Sequence, residues 1–153
     1  MELAKAIAGY RLVGLDTSPF IYLFEKHPQY FDVIQPVFSR LDVDPQFRAV
    51  TSVVTLIEVC VLPLKEDKSD LIDVYTRALL NSATVSTISV DAAIARKSAE
   101  LRARYNLRTP DAIQLATALT AGAEAFITND ATLKRVTEIP ILVLDDYIRQ
   151  SDS

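Results

Sequence analysis

Short runs rich in β-branched and other apolar residues alternate with helix-patterned chain along this sequence, and that alternation limits its possible folds more than any other feature. The runs fall at 11–15, 49–54, 83–88, 125–128 and 141–144. Each has the length and composition of a strand. Helical material separates every run from the next, the pattern of parallel strands joined by crossover helices. The expected architecture is α/β, a three-layer α/β/α sandwich around a central, mostly parallel sheet. The chain has 153 residues and half of them are hydrophobic, enough for a full core. It contains no repeat, low-complexity tract or dividing linker, so residues 1–153 read as one domain.

The helical segments carry their own punctuation. Ser18-Pro19 reads as an N-cap with proline at the first helical position, opening a helix through Glu25 that His27-Pro28 breaks. From 30 to 41, Ile34, Val37, Phe38 and Leu41 follow helical spacing, and Pro36 is expected to kink or split that helix. A short helix at 55–62 should end near Pro63, and a polar turn at 65–69 should precede a helix with Leu71, Tyr75, Ala78 and Leu79 on one face. Segments 91–105 and 110–121 have strong helix propensity, with Gly122 as the expected C-cap of the second.

Composition narrows the chemistry. A net charge of −4 argues against broad non-specific nucleic-acid binding, although an acidic metal cluster would account for much of it. The lone cysteine, Cys60, sits in the apolar stretch LIEVCVLPL and reads as a buried structural thiol. The lone histidine, His27, lies in the polar turn EKHPQ and reads as a surface residue, so histidine triads and multi-histidine metal sites are excluded. Three glycines cannot build a phosphate-cradling loop. No apolar stretch reaches the ~18 residues of a membrane span, and the N-terminus lacks a signal-peptide pattern, so a cytoplasmic protein is expected.

Carboxylate chemistry remains. Asp16 in VGLDTS, Glu58 in TLIEV, Asp111 in RTPDAIQ and Asp130 in FITNDATL each stand where a segment changes direction. Ligand sites in parallel α/β sheets form outside the carboxyl ends of the strands, where these acids are expected. Oxygen donors of this kind suit hard cations such as Mg²⁺ and Mn²⁺. The rival reading is local: an aspartate in a first helical turn is favoured by the helix dipole whether or not it binds anything. Asp91 in ISVDAAI is taken as such a capping residue. Glu58, among Leu56, Ile57, Val59 and Cys60, must be either exposed on a narrow polar stripe or buried beside a cation.

The stretches LDTSPFIYLFE, VTSVVTLIEV, LRARYNLRTPDAIQLATALTAGAEAFITND and IPILVLDDY together resemble PIN-domain proteins, specifically the VapC-like ribonuclease toxins of toxin–antitoxin pairs. The block from 107 to 130, RTPDA followed by an apolar strand and TND, is its most specific part. The resemblance implies a PIN-like fold in which Asp16, Glu58, Asp111 and Asp130 are the metal-binding acids, with Mg²⁺ or Mn²⁺ as cofactor. It implies supporting hydrogen bonds from Thr17, Thr128 and Asn129. Glu58 would either ligate the metal or orient the attacking water. At one point the chain departs from the pattern: many relatives carry a further acid after TND, where this sequence reads Ala131-Thr132-Leu133. One tightly held ion is therefore as consistent with it as two.

The implied activity is metal-assisted hydrolysis of RNA, with a non-cleaving PIN-fold RNA-binding or scaffold module as the alternative. Arg102, Arg104 and Arg108 read as solvated surface, with RNA phosphate contact as the other reading. The first two helices hold Phe20, Tyr22, Phe24, Tyr30, Phe31, Val33 and Phe38, more large apolar side chains than one core stripe requires. By resemblance, an antitoxin segment would lie in a groove between them, and the protein would pair as a homodimer.

Overall fold

The computed structural model describes residues 1–148, so the last five residues of the expected domain lie outside the described residues. Its centre is a five-stranded, all-parallel sheet in the order β3-β2-β1-β4-β5. The strands are β1 (Leu12–Leu15), β2 (Arg48–Ser52), β3 (Val85–Ile88), β4 (Ala125–Thr128) and β5 (Ile141–Val143). All five expected runs are strands. The second is shorter than expected, because Ser52 accepts a hydrogen bond from Val54 N and caps a helix that takes Val53 and Val54.

Helices cover both faces of the sheet, giving the expected three layers. On one face, Val13, Leu15, Ala49, Val85, Ala125 and Ile127 pack with residues of α1 (Leu3–Ala6), α2 (Thr17–Phe24), α3 (Phe31–Val43), α4 (Val53–Lys65) and α5 (Ser69–Leu80). On the other, Phe126 packs with Ile94 and Leu101 of α6 (Ala92–Tyr105) and with Ala112, Leu115, Ala116 and Ala118 of α7 (Thr109–Ala121). The small side chains of α7 let it lie close to β1. A Cβ on Gly14 would come within 2.7 Å of Ala118 Cβ and 2.9 Å of Phe126 Cδ1, so glycine is needed for that approach.

Several local expectations are corrected. Asp16, not Ser18, caps α2; Thr17 and Ser18 are helical, Pro19 lies inside the first turn, and the Ser18 hydroxyl is buried without a partner. Pro36 does not split α3 and Pro63 does not end α4. Each proline removes only its own N–H from the ladder, and packing of Ile34, Val37 and Leu41, or of Val59 and Pro63, holds the helix through it. Arg108 occupies the N-cap position of α7, so Pro110 is second in that helix rather than first; Gly122 closes it with φ +82° as expected. His27 is not a bare surface residue. Its Nδ1 accepts the Gln29 and Tyr30 N–H groups, and its ring lies 4.8 Å from that of Tyr22 and 4.9 Å from that of Tyr30. Cys60 is half-buried rather than buried, packed against the core, with burial pushing its thiol up. The short helix α1 and the 3₁₀ turns at Ala131–Arg135 and Leu144–Tyr147 were not foreseen.

Candidate functional site

Strand order determines where the acids meet. The chain leaves β1 toward β2 and β3 on one side, and β4 and β5 lie on the other, so the order reverses at the β1–β4 pair. Crevices at such a reversal, outside the strands' carboxyl ends, are where parallel α/β sheets bind ligands. Asp16 follows β1 directly and its N–H donates to Ile127 O of β4 at 2.9 Å, continuing the ladder into the crevice. Asp130 follows β4 by two residues and caps the 3₁₀ turn at Ala131–Arg135, accepting from Thr132 N at 3.0 Å and Thr132 Oγ1 at 2.7 Å. Glu58 projects from the second turn of α4, the helix that leaves β2. Asp111 stands in the first turn of α7, which packs over β1 and β2.

Asp16 and Asp111 feel the charges of the other acids. Burial pushes Asp16 up to about 6, against the pull of hydrogen bonds from Thr128 and Thr17, and the charges of Asp111 and Glu58 push it further in the same direction. Asp111 is also raised, first by burial, with Arg108 opposing and the charges of Asp130 and Glu58 adding to the rise. Four acids far apart in sequence thus share one electrostatic neighbourhood. Asp91 is the capping residue expected: it caps α6 by accepting from Ile94 N at 2.8 Å.

Threonines tie the acids together. Thr128 Oγ1 donates to Asp16 Oδ2 at 2.7 Å and accepts the Asp130 N–H at 3.0 Å, linking two acids through one hydroxyl. Thr17 Oγ1 donates to Glu58 Oε1 at 2.6 Å, and Thr17 N donates to Asp16 Oδ1 at 2.8 Å. Glu58 is therefore exposed at the crevice and held by a hydroxyl, the polar-stripe alternative rather than a buried pair with a cation. Asn129 turns away from the acids. Its Nδ2 donates to the Tyr22 hydroxyl at 3.0 Å and its Oδ1 accepts Asp145 N at 3.0 Å, while the Tyr30 hydroxyl donates to the Asp145 carboxylate.

The arginines divide. Arg102 Nε donates to Leu107 O at 3.0 Å and Arg104 pairs with Glu138 at 2.9 Å, so both have work within the fold. Arg108 is 77% exposed and lies 3.4 Å from Asp111 Oδ2, at the rim of the acids. Among the described residues, no three acidic, histidine or cysteine side chains stand closely enough to grip an ion together. Each carboxylate is drawn toward its own partner: Asp16 to Thr128 and Thr17, Glu58 to Thr17, Asp111 to Arg108, Asp130 to Thr132. The donor chemistry nevertheless suits a hard cation, being all oxygen and carrying mutual repulsion that a cation would relieve.

One group of polar residues escaped the sequence reading. Gln114, Thr51, Ser52 and Thr55 are all buried directly beneath the acids. The signal was present: each is a polar residue at a core-facing position of an otherwise apolar strand or helix.

No helix among the described residues is long and apolar enough to cross a membrane. None of the curated proteins matches the sequence. Solved structures share its fold. A toxin–antitoxin complex from Klebsiella pneumoniae is 27% identical, with a TM-score of 0.58 over 87% of this chain and 96% of that one. VapBC2 of Rickettsia felis, bound to a DNA fragment from its promoter, is 17% identical, with a TM-score of 0.63 over 85% of this chain and 96% of that one. VapC20 of Mycobacterium tuberculosis, a sarcin–ricin loop cleaving toxin, is 17% identical, with a TM-score of 0.61 over 75% of this chain and 86% of that one. The sequence profile of the PIN domain matches residues 13–139, from β1 to the approach to β5, and the chain belongs to the PIN-domain family.

Proposed function

We propose that this chain is a metal-dependent endoribonuclease, the toxin of a toxin–antitoxin pair, hydrolysing RNA phosphodiester bonds with Mg²⁺ or Mn²⁺ held by Asp16, Glu58, Asp111 and Asp130. The observation that carries the reading is the convergence of four carboxylates, from four separate elements, at the reversal point of a parallel sheet. Histidine, cysteine and glycine-loop chemistries have no representative there. When bound, the ion supplies a water of lowered pKa and offsets negative charge developing on the phosphate.

The chain's own residues supply position and charge. Thr128 holds the Asp16 carboxylate and the Asp130 backbone in one hydroxyl bridge, and Thr17 links Glu58 through its hydroxyl and Asp16 through its backbone N–H. Supporting bonds of this kind orient oxygen ligands. Glu58, the exposed member, either ligates the ion or orients the attacking water. Arg108 at the rim meets the RNA backbone once a cation, rather than its own guanidinium, neutralises Asp111. The test is direct. Purified protein freed of any partner cleaves a structured RNA pool with Mg²⁺ or Mn²⁺, and EDTA or Asp16→Asn stops it. Undiminished cleavage in EDTA refutes the metal mechanism.

The rival reading is a PIN-fold module that binds RNA without cutting it. It draws on the relaxed separation of the acids, none of which forms a three-carboxylate grip among the described residues. RNA binding with no cleavage under any divalent cation would favour it.

Two protein partners complete the proposal for this cytoplasmic toxin. The antitoxin lies across α2 and α3, where Phe20 is fully buried but Tyr22, Phe24, Tyr30, Phe31, Val33 and Phe38 keep part of their surface exposed. The Klebsiella relative was solved as a toxin–antitoxin complex, which supports a partner of that class. A second copy of the chain packs on α4, where Ile57, Val61 and Leu64 are 63%, 45% and 61% exposed at helical spacing. An exposed apolar stripe of this kind marks an interface.

A further inference from the structure

Beneath the acids lies a buried chain of hydrogen bonds, whose shortest contacts run in one direction; a longer contact of 3.4 Å also links Thr51 Oγ1 to Gln114 Oε1. Thr51 Oγ1 has one proton and donates it to Leu15 O at 2.7 Å. Thr55 Oγ1, 2.7 Å from Thr51 Oγ1, is then the donor of that pair. Thr55 must in turn accept, and it does so from Gln114 Nε2 at 2.6 Å. The other end of the amide, Gln114 Oε1, accepts Ser52 N at 3.2 Å, which fixes the amide orientation. Every side chain in the sequence Gln114→Thr55→Thr51→Leu15 O is nearly or wholly inaccessible: Gln114 and Thr51 are 2% exposed and Thr55 is 0%.

Each station stands next to an acid. Gln114 lies one helical turn after Asp111 on α7. Thr55 lies one turn before Glu58 on α4 and 3.5 Å from the Thr17 hydroxyl that binds Glu58. Leu15 immediately precedes Asp16. The amide therefore joins α7, the β2–α4 junction and the end of β1 through buried, hydrogen-bonded groups.

We propose that Gln114 is the positioning residue of the acidic site, setting the separation of Asp111, Glu58 and Asp16 through this chain; the inference rests on the metal-nuclease reading above. Packing alone does not ask for glutamine here. Replacing the amide together with its buried hydroxyl partners by apolar groups of matching shape is close to neutral for stability, so the fold could be packed without it. A fully satisfied buried network instead adds rigidity and one defined arrangement. The network spans two helices and two strands, α7, α4, β1 and β2, from which three of the acids project or follow.

The experiment compares Gln114→Met, Thr55→Val and Thr55→Ser with the parent chain. Readouts are Mn²⁺ affinity, measured calorimetrically with the metal alone, thermal midpoint, and kcat and KM on a cleavable RNA. Partners that hold metal ligands in place typically contribute ~10–100-fold to affinity or rate. Gln114→Met and Thr55→Val should weaken Mn²⁺ binding and lower kcat by about that factor, with KM within about twofold of the parent. Thr55→Ser keeps the hydroxyl and should retain the parent affinity. Ser98→Ala removes a buried hydroxyl bonded to Ile94 O in α6, away from the chain, and should leave Mn²⁺ affinity unchanged.

A Gln114→Met protein that melts lower yet binds Mn²⁺ like the parent overturns the proposal, because the amide is then only structural. If Gln114→Met does not fold, the threonine pair decides, and equal Mn²⁺ affinities for Thr55→Val and Thr55→Ser overturn it equally. A parent chain that binds no Mn²⁺ and whose Asp16→Asn variant behaves identically overturns the nuclease reading itself, a distinct result.

Discussion

Asp16→Asn should stabilise the metal-free protein, and by an amount that depends on pH in a defined direction. Burial chiefly, with the nearby charges of Asp111 and Glu58, pushes Asp16 from 3.8 up to about 6 in the folded chain. Between those two values the folded state holds a proton that the unfolded chain has already lost. Stability of the parent therefore falls as pH rises through that window, and above about 6 the full cost is present. The shift of roughly two units corresponds to about 3 kcal/mol at 1.36 kcal/mol per unit. Asparagine is neutral throughout and resembles the protonated acid, with an oxygen for Thr17 N–H and an amide facing Thr128 Oγ1. The stability gap between variant and parent should be small at pH 4 and open to about 3 kcal/mol by pH 7.5, or roughly 6–12 °C in thermal midpoint for a chain of this size. The measurement is urea and thermal unfolding of both chelator-treated proteins from pH 4 to pH 8. Other titrating groups are common to both and largely cancel. Mn²⁺ at a hundred times its Kd should then return about 2.7 kcal/mol to the parent and less to the variant. A gap that stays flat with pH, or a variant less stable than the parent at pH 7.5 without metal, refutes the idea that Asp16 is ionised against its surroundings.

Gly14→Ala should destabilise by about 1–3 kcal/mol, because the new methyl meets Ala118 Cβ at 2.7 Å and Phe126 at 2.9 Å inside the α7–sheet contact; an unchanged denaturant midpoint would contradict that packing. Asp91→Ala should cost about 1 kcal/mol by removing the α6 cap while leaving Mn²⁺ affinity and RNA cleavage intact, so a loss of metal binding would mean the site has been misplaced. Ile57→Asp with Val61→Asp should convert a dimer to a monomer by light scattering without lowering the thermal midpoint of the monomer. A parent already monomeric at high concentration would remove α4 as the self-association face.

How much of this was legible in the sequence follows from the range of the interactions involved. β4 was readable to its end residues because Ala125–Thr128 is buried on both faces and its composition is set locally by that burial. The ends of β2 and α4 were not, since the choice between extending the strand through Val53 and Val54 or starting a helix rests on one hydroxyl, Ser52, reaching Val54 N. Pro36 and Pro63 misled for a related reason: their local penalty is real, but tertiary packing on both sides outweighs it. The acids themselves could be named from residue type and from the resemblance. Their meeting at the sheet's carboxyl edge could only be expected, because it depends on strand order, and a sequence with five separated strands does not state that β1 sits between β2 and β4. The electrostatics lay further off still. Asp16 is pushed up to about 6 by burial first, with a hydrogen bond from Thr128, 112 residues away, opposing and the charges of Asp111 and Glu58 adding, and no window along the chain contains all of them. Gln114 shows the same limit from the other side. A polar residue among alanines and leucines of a helix announces that something buried must bond it, but only the assembled sheet reveals that its partners stand beside three of the four acids.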